Sequence, residues 1–412
     1  MKILVLAGGF DQIALIQELK KRGHLVYLAD YFQDPPAKKY ADRHFQVSTL
    51  DEEAIYNLAV DNTIDLLTTA CTDQALMTVA SVSEKLHKPC YISAEVARNV
   101  TNKAFMKKKF LEYNIPTSSW VLLEDSFDNS LFVDFKGKYP LIVKPCDCNS
   151  SKGVIKVSNN DELIFAIKQA FSLSRSKKVI VEEFKDGQEV SIDVWKDKEN
   201  AKILSVSSTN KIDEKCENFT IYQSQYPIDI SDALMKKIQN VAKKICDAFE
   251  LDNCPLLIQA IIKDDDINVI EISARMGGGS KYKLIEYISG IKIMEVYVNR
   301  VLGDTNQIVH PHLTDKKVEI NYVYTLNGIV NKIIGFEDLL EKGEIKEIFQ
   351  YRNQGCITEK MTTSSDRVLG FLIEADTVED LQALRRDIVK SVDIKNEFGQ
   401  SIMYKKCFYS EC

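Results

Sequence analysis

The segment Val269–Met276 carries a carboxylate and a guanidinium four residues apart, and three glycines follow it. Side chains alternate between the faces of a strand, so Glu271, Ser273 and Arg275 are predicted to share one face while the apolar residues between them face a core. A carboxylate is a ligand that suits Mg²⁺, and a planar arginine suits a phosphate or a carboxylate. The segment therefore predicts a site for a metal ion and an anion. The alternative for Arg275 is a salt bridge to Glu271 or Glu286.

A second segment upstream is suited to the same anion. Lys144 lies at the end of the apolar run Pro140–Pro145, where an ammonium is costly without a partner. A phosphate is one such partner, and the alternatives are an acidic side chain or an exit to solvent. The loop that follows contains Ser150, Ser151 and Gly153, which are small enough to turn backbone N–H groups toward an anion.

Two further segments provide polar groups for a nucleotide and a metal. Glu182 and Phe184 end an apolar run, and Glu189 lies two residues after Gly187. This pattern suits an adenine slot with a ribose acceptor, although consecutive carboxylates also simply face water. Gln259 and Glu271 lie on two runs joined by an aspartate-rich turn. On one face of a hairpin, their oxygens would flank Mg²⁺. The alternative for Gln259 is a polar residue on a half-exposed strand.

The sequence offers no clear general base. His310 and His312 lie beyond the predicted site, and Lys211 is a candidate only by its position in a polar segment. Lys107, together with Lys108 and Lys109, is predicted to solvate the surface of a helix over 102–114.

Length and composition limit the class of protein. A chain of 412 residues predicts two or three domains. The net charge of −7 argues against nonspecific binding to nucleic acid. No apolar run is long enough for a membrane span, and the short apolar start is interpreted as a first β-strand and not a signal peptide. Ten cysteines without metal-ligand spacing predict reduced thiols in the cytoplasm.

Hydrophobic periodicity predicts the elements that position these residues. Residues 1–95 alternate strand and helix, which indicates an open parallel α/β domain, with Tyr91-Ile92 as the start of a last short strand. The first turn, Ala7–Asp11, lacks the spaced glycines of a dinucleotide site. Strands are predicted over 179–184, 189–195, 256–263 and 268–273. A long helix is predicted over 232–249, a mostly helical segment over 281–303, and a third segment of mixed strand and helix from about 309.

Taken in order, these motifs resemble the ATP-grasp superfamily, in the branch of carboxylate–amine ligases with relatives among purine-pathway and carbamoyl-phosphate enzymes. The resemblance starts from Asn102-Lys103 and runs through Val143–Pro145, the Ser/Gly loop and Glu182–Glu189 to Glu271–Gly279. It implies an α/β and α+β chain with three parts. These are an N-terminal α/β domain over 1–98, an ATP-grasp domain over 99–305 with a lid subdomain over about 140–186, and a C-terminal domain over 306–412.

The resemblance also implies roles for the residues. Lys103 and Lys144 would contact the phosphates of ATP, with Ser150, Ser151 and Gly153 in the loop that covers them. Glu182 and Phe184 would hold adenine, and Glu189 the ribose. Glu271 and Gln259 would bind Mg²⁺, or Mn²⁺ in its place. Arg275 would hold the transferred phosphate or the substrate carboxylate, and with Lys144 it would form the catalytic pair.

The expected function is ATP-dependent joining of a carboxylate to an amine, or to a thiol, through an acyl phosphate, with release of ADP. The partners would be small-molecule carboxylates and amines, with no nucleic acid and no membrane, and a homodimer is left open. Two departures from the family pattern are Gln259, where a glutamate is usual, and Ser273, where an asparagine is frequent. They keep two alternatives open: a nucleotide-binding protein with lost or regulatory activity, and an ATP-dependent carboxylase of purine-pathway type.

Overall fold

A computed structural model describes residues 1–124, 138–148, 152–198, 200–212, 219–359 and 361–409. Ser150 and Ser151 of the predicted phosphate loop lie outside these residues. Within them, none of the helices has both the length and the apolar character that crossing a membrane requires.

The strands have the following bounds: β1 Lys2–Leu6, β2 Leu25–Asp30, β3 Arg43–Gln46, β4 Leu66–Thr68, β5 Trp120–Leu123, β6 Leu141–Pro145, β7 Ile155–Val157, β8 Val179–Glu183, β9 Gln188–Lys196, β10 Ala201–Lys211, β11 Ile221–Tyr226, β12 Cys254–Lys263, β13 Asp266–Ser273, β14 Lys317–Val323, β15 Gly328–Ile329, β16 Lys332–Ile334, β17 Glu347–Gln350, β18 Ile357–Thr358, β19 Leu369–Ala375 and β20 Asp393–Lys395.

The α-helices have the following bounds: α1 Asp11–Lys21, α2 Glu52–Asp61, α3 Asp73–Lys85, α4 Ala94–Asn99, α5 Lys103–Glu112, α6 Asn160–Leu173, α7 Asp232–Ala248, α8 Lys281–Ser289, α9 Ile293–Val301, α10 Phe336–Glu341 and α11 Val378–Ser391. Short 3-10 helices cover Lys38–Tyr40, Ser364–Asp366 and Lys406–Phe408.

The N-terminal part forms a parallel four-stranded sheet in the order β3-β2-β1-β4. This confirms the predicted open α/β architecture. The predicted strand at Tyr91-Ile92 is wrong, because these residues form a bend. Tyr91 is buried there and its hydroxyl donates to the carbonyl of Ala274 at 2.8 Å, so the apolar pair packs against a later part of the chain instead of pairing in the sheet.

A small antiparallel sheet in the order β5-β8-β6-β7 follows, and we call it the lid sheet. Helix α6 packs against β6, β7 and β8. The two central strands, β6 and β8, are buried nearly throughout, which gives this sheet a core of its own. Burial on both faces explains why these strands consist of near-continuous apolar runs.

The largest sheet has eight strands in the order β13-β12-β9-β10-β11-β14-β19-β17, and we call it the central sheet. Every neighbouring pair in it is antiparallel. Strands β14, β19 and β17 come from the C-terminal segment, so the sheet continues across the predicted domain boundary at 305/306. The three predicted domain ranges stay a prediction.

Opposite faces of β9 differ sharply. Val190, Ile192 and Val194 face the main hydrophobic core, which they share with Ile258 of β12 and Ile238 of α7. The alternate positions Glu189, Ser191 and Asp193 of β9 are polar. The predicted hairpin of β12 and β13 is confirmed, with its turn at 264–265. This alternation places the polar residues of three adjacent strands on one face of the central sheet.

Candidate active site

Helix α5 carries two lysines that contact carboxylates of the lid sheet and of the central sheet. Its N-terminus is capped by Asn102, whose side chain accepts from the N–H of Phe105 at 3.1 Å. Lys103 and Lys107 are one turn apart and therefore lie on the same face. Lys103 Nζ lies 3.1 Å from Oε2 of Glu271 on β13 and donates to the carbonyl of Cys148 at 2.8 Å. One ammonium thus joins β13 to the start of the predicted phosphate loop.

The prediction that Lys107 lies on the surface is wrong. Lys107 is 1% exposed, and its Nζ lies 2.7 Å from Oε2 of Glu182 on β8. The same Nζ donates to Thr117 at 2.5 Å. Helix α5 packs against α7 and β13, so the face that the sequence leaves polar is covered by other parts of the chain. Lys108, the next residue, is exposed as predicted.

Glu182 lies between two buried lysines. Its other oxygen, Oε1, forms an ion pair with Lys144 of β6, the adjacent strand of the lid sheet. Burial by itself raises the pKa of Glu182, but Lys144 and Lys107 outweigh burial and lower this pKa to about 2. Burial lowers the pKa of Lys107 to about 8, although Glu182 opposes that shift. Two ammonium groups and one carboxylate leave this cluster with one net positive charge at neutral pH.

The low pKa of Lys107 predicts a measurable pH dependence of stability. The pKa falls from 10.5 to about 8 on folding, so unfolding takes up a proton between these values and the protein gains stability as the pH rises through them. We expect the free energy of unfolding of the parent to rise relative to that of Lys107→Met by on the order of 2 kcal/mol between pH 8 and 10. Urea unfolding at a series of pH values measures this difference. The exposed neighbour provides the control, Lys108→Met, which should follow the parent. Parallel curves for the parent and Lys107→Met would contradict the assignment.

Gln259 and Glu271 face each other across the hairpin. They are registered partners on β12 and β13, just before a bulge that lies between Gln259 and Ala260, and both are half-buried. A carboxylate and an amide carbonyl provide oxygen ligands only, which fits Mg²⁺ completed by phosphate oxygens and water. Among the residues that the structure describes, no group of three or more His, Cys, Asp or Glu side chains offers a cage made by protein alone.

Arg275 binds a carboxylate that the sequence did not suggest. Its Nε donates to Oδ1 of Asp73 at 2.9 Å and its Nη2 to Oδ2 at 2.6 Å, while Nη1 donates to the carbonyl of Met276 at 2.8 Å. Ser273 also donates to Asp73. The salt bridge considered with Glu271 or Glu286 is wrong, since Asp73 of α3 takes this place. Burial alone would raise the pKa of Asp73, but Arg275 outweighs burial and lowers it.

A second buried polar cluster lies beside Arg275, and sequence reasoning missed it. Lys281, the first residue of α8, donates to Oγ of Ser207 at 2.6 Å, and Ser205 donates to Oδ2 of Asp193 at 2.6 Å. Oδ1 of Asp193 is buried and receives no hydrogen bond. Burial raises the pKa of Asp193 and lowers the pKa of Lys281 to about 8, although each group opposes the shift of the other. The alternation Glu189, Ser191, Asp193 along β9 was the available signal.

The structure also shows the contacts of three further predicted residues, Gly153, Phe184 and Lys211. Gly153 has φ +76°, and a Cβ there would lie 3.0 Å from Pro145, so the chain after the phosphate loop approaches β6 closely. The N–H of Phe184 donates to the carbonyl of Pro140 at 3.2 Å, and Lys156 Nζ lies 3.9 Å from the centroid of the Phe184 ring. Lys211, the candidate general base, forms an ion pair with Glu189, the predicted ribose acceptor. This ion pair does not support a role for Lys211 as a base.

The N-terminal part of the chain also contacts the glycine turn after Arg275. Asp11 accepts from the N–H of Gly279 at 3.1 Å and from the N–H of Ser280 at 2.9 Å. Tyr322 of the C-terminal segment donates to the carbonyl of Gly279 at 2.8 Å, and Arg367 of the same segment stacks on Tyr322, with 4.1 Å between its Cζ and the ring centroid. All three parts of the chain therefore meet beside the polar face of the central sheet.

Comparison with known proteins shows which families and folds this chain resembles. Residues 111–294 match the family model described as D-ala D-ala ligase C-terminus. A formate-dependent phosphoribosylglycinamide formyltransferase of Prochlorococcus marinus (strain NATL1A) is 25% identical over 407 residues, which cover 96% of this chain and 98% of that protein. The crystal structure of an L-amino acid ligase from Bacillus licheniformis is similar with a TM-score of 0.79 and 20% identity, covering 96% of this chain and 98% of that one. The biotin carboxylase domain of a Hydrogenobacter thermophilus 2-oxoglutarate carboxylase, in complex with MgADP, ADP and bicarbonate, gives a TM-score of 0.79 at 14% identity, covering 96% of this chain and 90% of that one.

A lid sheet and a larger antiparallel sheet, joined through lysines and carboxylates, define an ATP-grasp fold. The family match over residues 111–294 and the similarity of nearly the whole chain to these proteins support the resemblance to the ATP-grasp carboxylate–amine ligases. The fold class and the resemblance stated from the motifs are confirmed. ATP and Mg²⁺ are the cofactors of this superfamily, as predicted.

Proposed function

We propose that this protein activates a small-molecule carboxylate with ATP and joins it to an amine, releasing ADP and phosphate. The observation that carries the proposal is the arrangement on α5. Two lysines of this one helix contact the carboxylate of the lid sheet and the carboxylate of the central sheet, Glu182 and Glu271. Cations held between two sheets suit a triphosphate that lies between them.

In this proposal the nucleotide lies between the lid sheet and the central sheet. Lys103 and Lys144 contact its phosphates, and the loop that ends at Gly153 covers them. The backbone around Glu182 and Phe184 meets adenine, and the ribose lies toward Glu189. This arrangement is supported by the positive charge beside Glu182 and by the position of Lys103 between Glu271 and Cys148.

The first step is transfer of the γ-phosphoryl group to a substrate carboxylate. A carboxylate oxygen forms a bond to phosphorus as the bond to the β-phosphate oxygen breaks, and ADP leaves. The protein contributes positioning and positive charge, because this transfer needs little covalent help. Arg275, fixed by Asp73, would orient the carboxylate. Glu271 and Gln259 would hold the divalent ion, which neutralises charge on the phosphates.

The second step is attack of the amine on the acyl phosphate. The nitrogen forms a bond to the carbonyl carbon, phosphate leaves, and the nitrogen gives up a proton. We place the acceptor beside the buried cluster of Asp193 and Lys281, because an unpartnered carboxylate oxygen there suits an ammonium. Lys281 is the candidate base, since a lysine with a pKa of about 8 is partly neutral near physiological pH.

The cell compartment and the assembly belong to the same proposal. The eight cysteines within the described ranges form no disulfide with one another, which suits the reducing cytoplasm. A homodimer stays a prediction, and light scattering at several protein concentrations measures it.

The test is ADP release from the purified chain with ATP and Mg²⁺, using a panel of amino acids and small carboxylic acids, singly and in pairs. We expect release to require one carboxylate, to accelerate with one amine, and to yield an amide detectable by mass spectrometry. Hydroxylamine should trap the acyl phosphate as a hydroxamate when the amine is omitted. ADP release that is independent of any carboxylate would contradict this function.

A second candidate function follows from Gln259. A neutral amide at the metal site favours a nucleotide-binding protein without turnover, and tight ATP binding with no ADP release across the whole panel would select it. Bicarbonate in the panel tests the third alternative, because ADP release that depends on bicarbonate selects an ATP-dependent carboxylase.

A further inference from the structure

The row of side chains across the central sheet contains a single carboxylate. Glu271 is registered with Gln259, Gln259 with Ser191, and Ser191 with Ser207. These four residues belong to adjacent strands and therefore share one face. The row thus supplies one carboxylate, one amide and two hydroxyls as oxygen donors.

The next row along the same face does not provide a second carboxylate for this site. Asp193 is registered with Leu257, which is registered with Ser273, so Asp193 lies one row beyond Glu271 and strand β12 separates it from β13. One oxygen of Asp193 accepts from Ser205, and a Cβ on Gly277 would lie 3.5 Å from the other. Asp73, the acid nearest to Arg275, is already held by both ends of that guanidinium.

An ammonium already contacts the one carboxylate of the row. Lys103 Nζ lies 3.1 Å from Oε2 of Glu271, and both side chains are mostly covered, with 10% and 28% of their surfaces exposed. The cap at Asn102 and the bond to the carbonyl of Cys148 fix this lysine in place. Oε1 of Glu271 and the carbonyl oxygen of Gln259 then remain as the protein ligands for a divalent cation.

We propose that this nucleotide site holds one divalent cation, bound by Glu271 and Gln259, and that the ammonium of Lys103 supplies the positive charge that a second cation would supply. The inference rests on the proposed ATP site. Two divalent ions close together need several anionic ligands to offset their mutual repulsion. The row offers one carboxylate and a fixed positive charge beside it, which favours a single ion.

The experiment counts bound Mn²⁺, which takes the place of Mg²⁺ and is visible by electron paramagnetic resonance. The parent, saturated with a nonhydrolysable ATP analogue, is titrated with Mn²⁺ while calorimetry records nucleotide binding. We expect one ion per complex for the parent. Gln259→Glu restores a second carboxylate, and we expect two ions per complex. Glu271→Gln removes the carboxylate, and we expect affinity for the single ion at least tenfold weaker.

The matched control is Gln188→Glu. Gln188 is exposed at the start of β9 and precedes Glu189, so its side chain points to the opposite face and the same added charge falls outside the row. We expect one ion for this variant. Two ions of similar affinity in the parent, or one ion in Gln259→Glu, would overturn the inference of a single cation. If the nucleotide still binds in that case, the proposed ATP site stands. A failure of the parent to bind the nucleotide would overturn the proposed function as well.

Discussion

Lys144→Met is expected to lower kcat/KM for ATP by about 100- to 1000-fold, mostly through a higher KM. Charge-assisted bonds to a phosphate are the strong ones in a buried site, and losing one leaves the phosphate oxygen without its partner at a cost of about 3–4 kcal/mol. The residue is 3% exposed at the centre of the lid sheet, so water cannot replace the ammonium readily. Steady-state kinetics over a range of ATP concentrations measure the change.

The variant should still fold, because Glu182 retains Lys107 at 2.7 Å as a partner. Thermal unfolding of the variant tests this directly. Lys178→Met is the matched control, since Lys178 precedes β8 of the same sheet and its exposed ammonium pairs with Glu124 at 2.7 Å. We expect the control to keep the parent kinetics. A parent-like KM and kcat for a folded Lys144→Met would remove Lys144 from the nucleotide site.

Arg275→Lys is expected to reduce kcat by about 100-fold or more with a small change in the KM for ATP. A lysine cannot reproduce the two parallel hydrogen bonds that Arg275 makes to Asp73 at 2.9 and 2.6 Å, and a misplaced cation orients the substrate carboxylate poorly. Turnover and ATP affinity measured separately distinguish a defect in positioning from a defect in nucleotide binding.

Asp73→Asn tests whether Arg275 needs the carboxylate that holds its guanidinium in place. The guanidinium stays in this variant, but the carboxylate that fixes it is gone, so we expect an intermediate loss of about tenfold in kcat. The control for Arg275→Lys is the same arginine-to-lysine exchange at Arg22, which pairs with Glu18 and not with Asp73. If Arg275→Lys and Asp73→Asn both kept the parent kcat, Arg275 would have a structural role only.

Local patterns predicted the elements well because each depends on neighbouring residues. Alternation placed Glu271, Ser273 and Arg275 on one face, and the aspartate-rich turn predicted the β12–β13 hairpin that makes Gln259 and Glu271 partners. The order of motifs along the chain predicted the superfamily. These inferences use spacing within a segment, or the sequence order of segments, and both are directly visible in a sequence.

Partners from distant segments were not predictable in this way. Asp73 and Arg275 are separated by 202 positions, and an acid at the start of a helix is an ordinary feature. Lys107 looked like one of three surface lysines because its burial depends on α7 and β13 packing over α5. Lys281 follows the glycines, and no neighbouring residue in the sequence indicates that its ammonium contacts Ser207. Burial of a charge is decided by tertiary packing, which spacing does not encode.

The shared central sheet has a practical consequence for anyone who wants to dissect this protein. Strand β11 bonds along one edge to β14, whose residues lie beyond the predicted boundary at 305/306. A recombinant fragment that stops near that boundary would expose the unsatisfied edge of β11, a template for intermolecular pairing and precipitation. Chimaeras, crystallisation fragments and split reporters are better cut outside 188–375, where no strand of this sheet is interrupted.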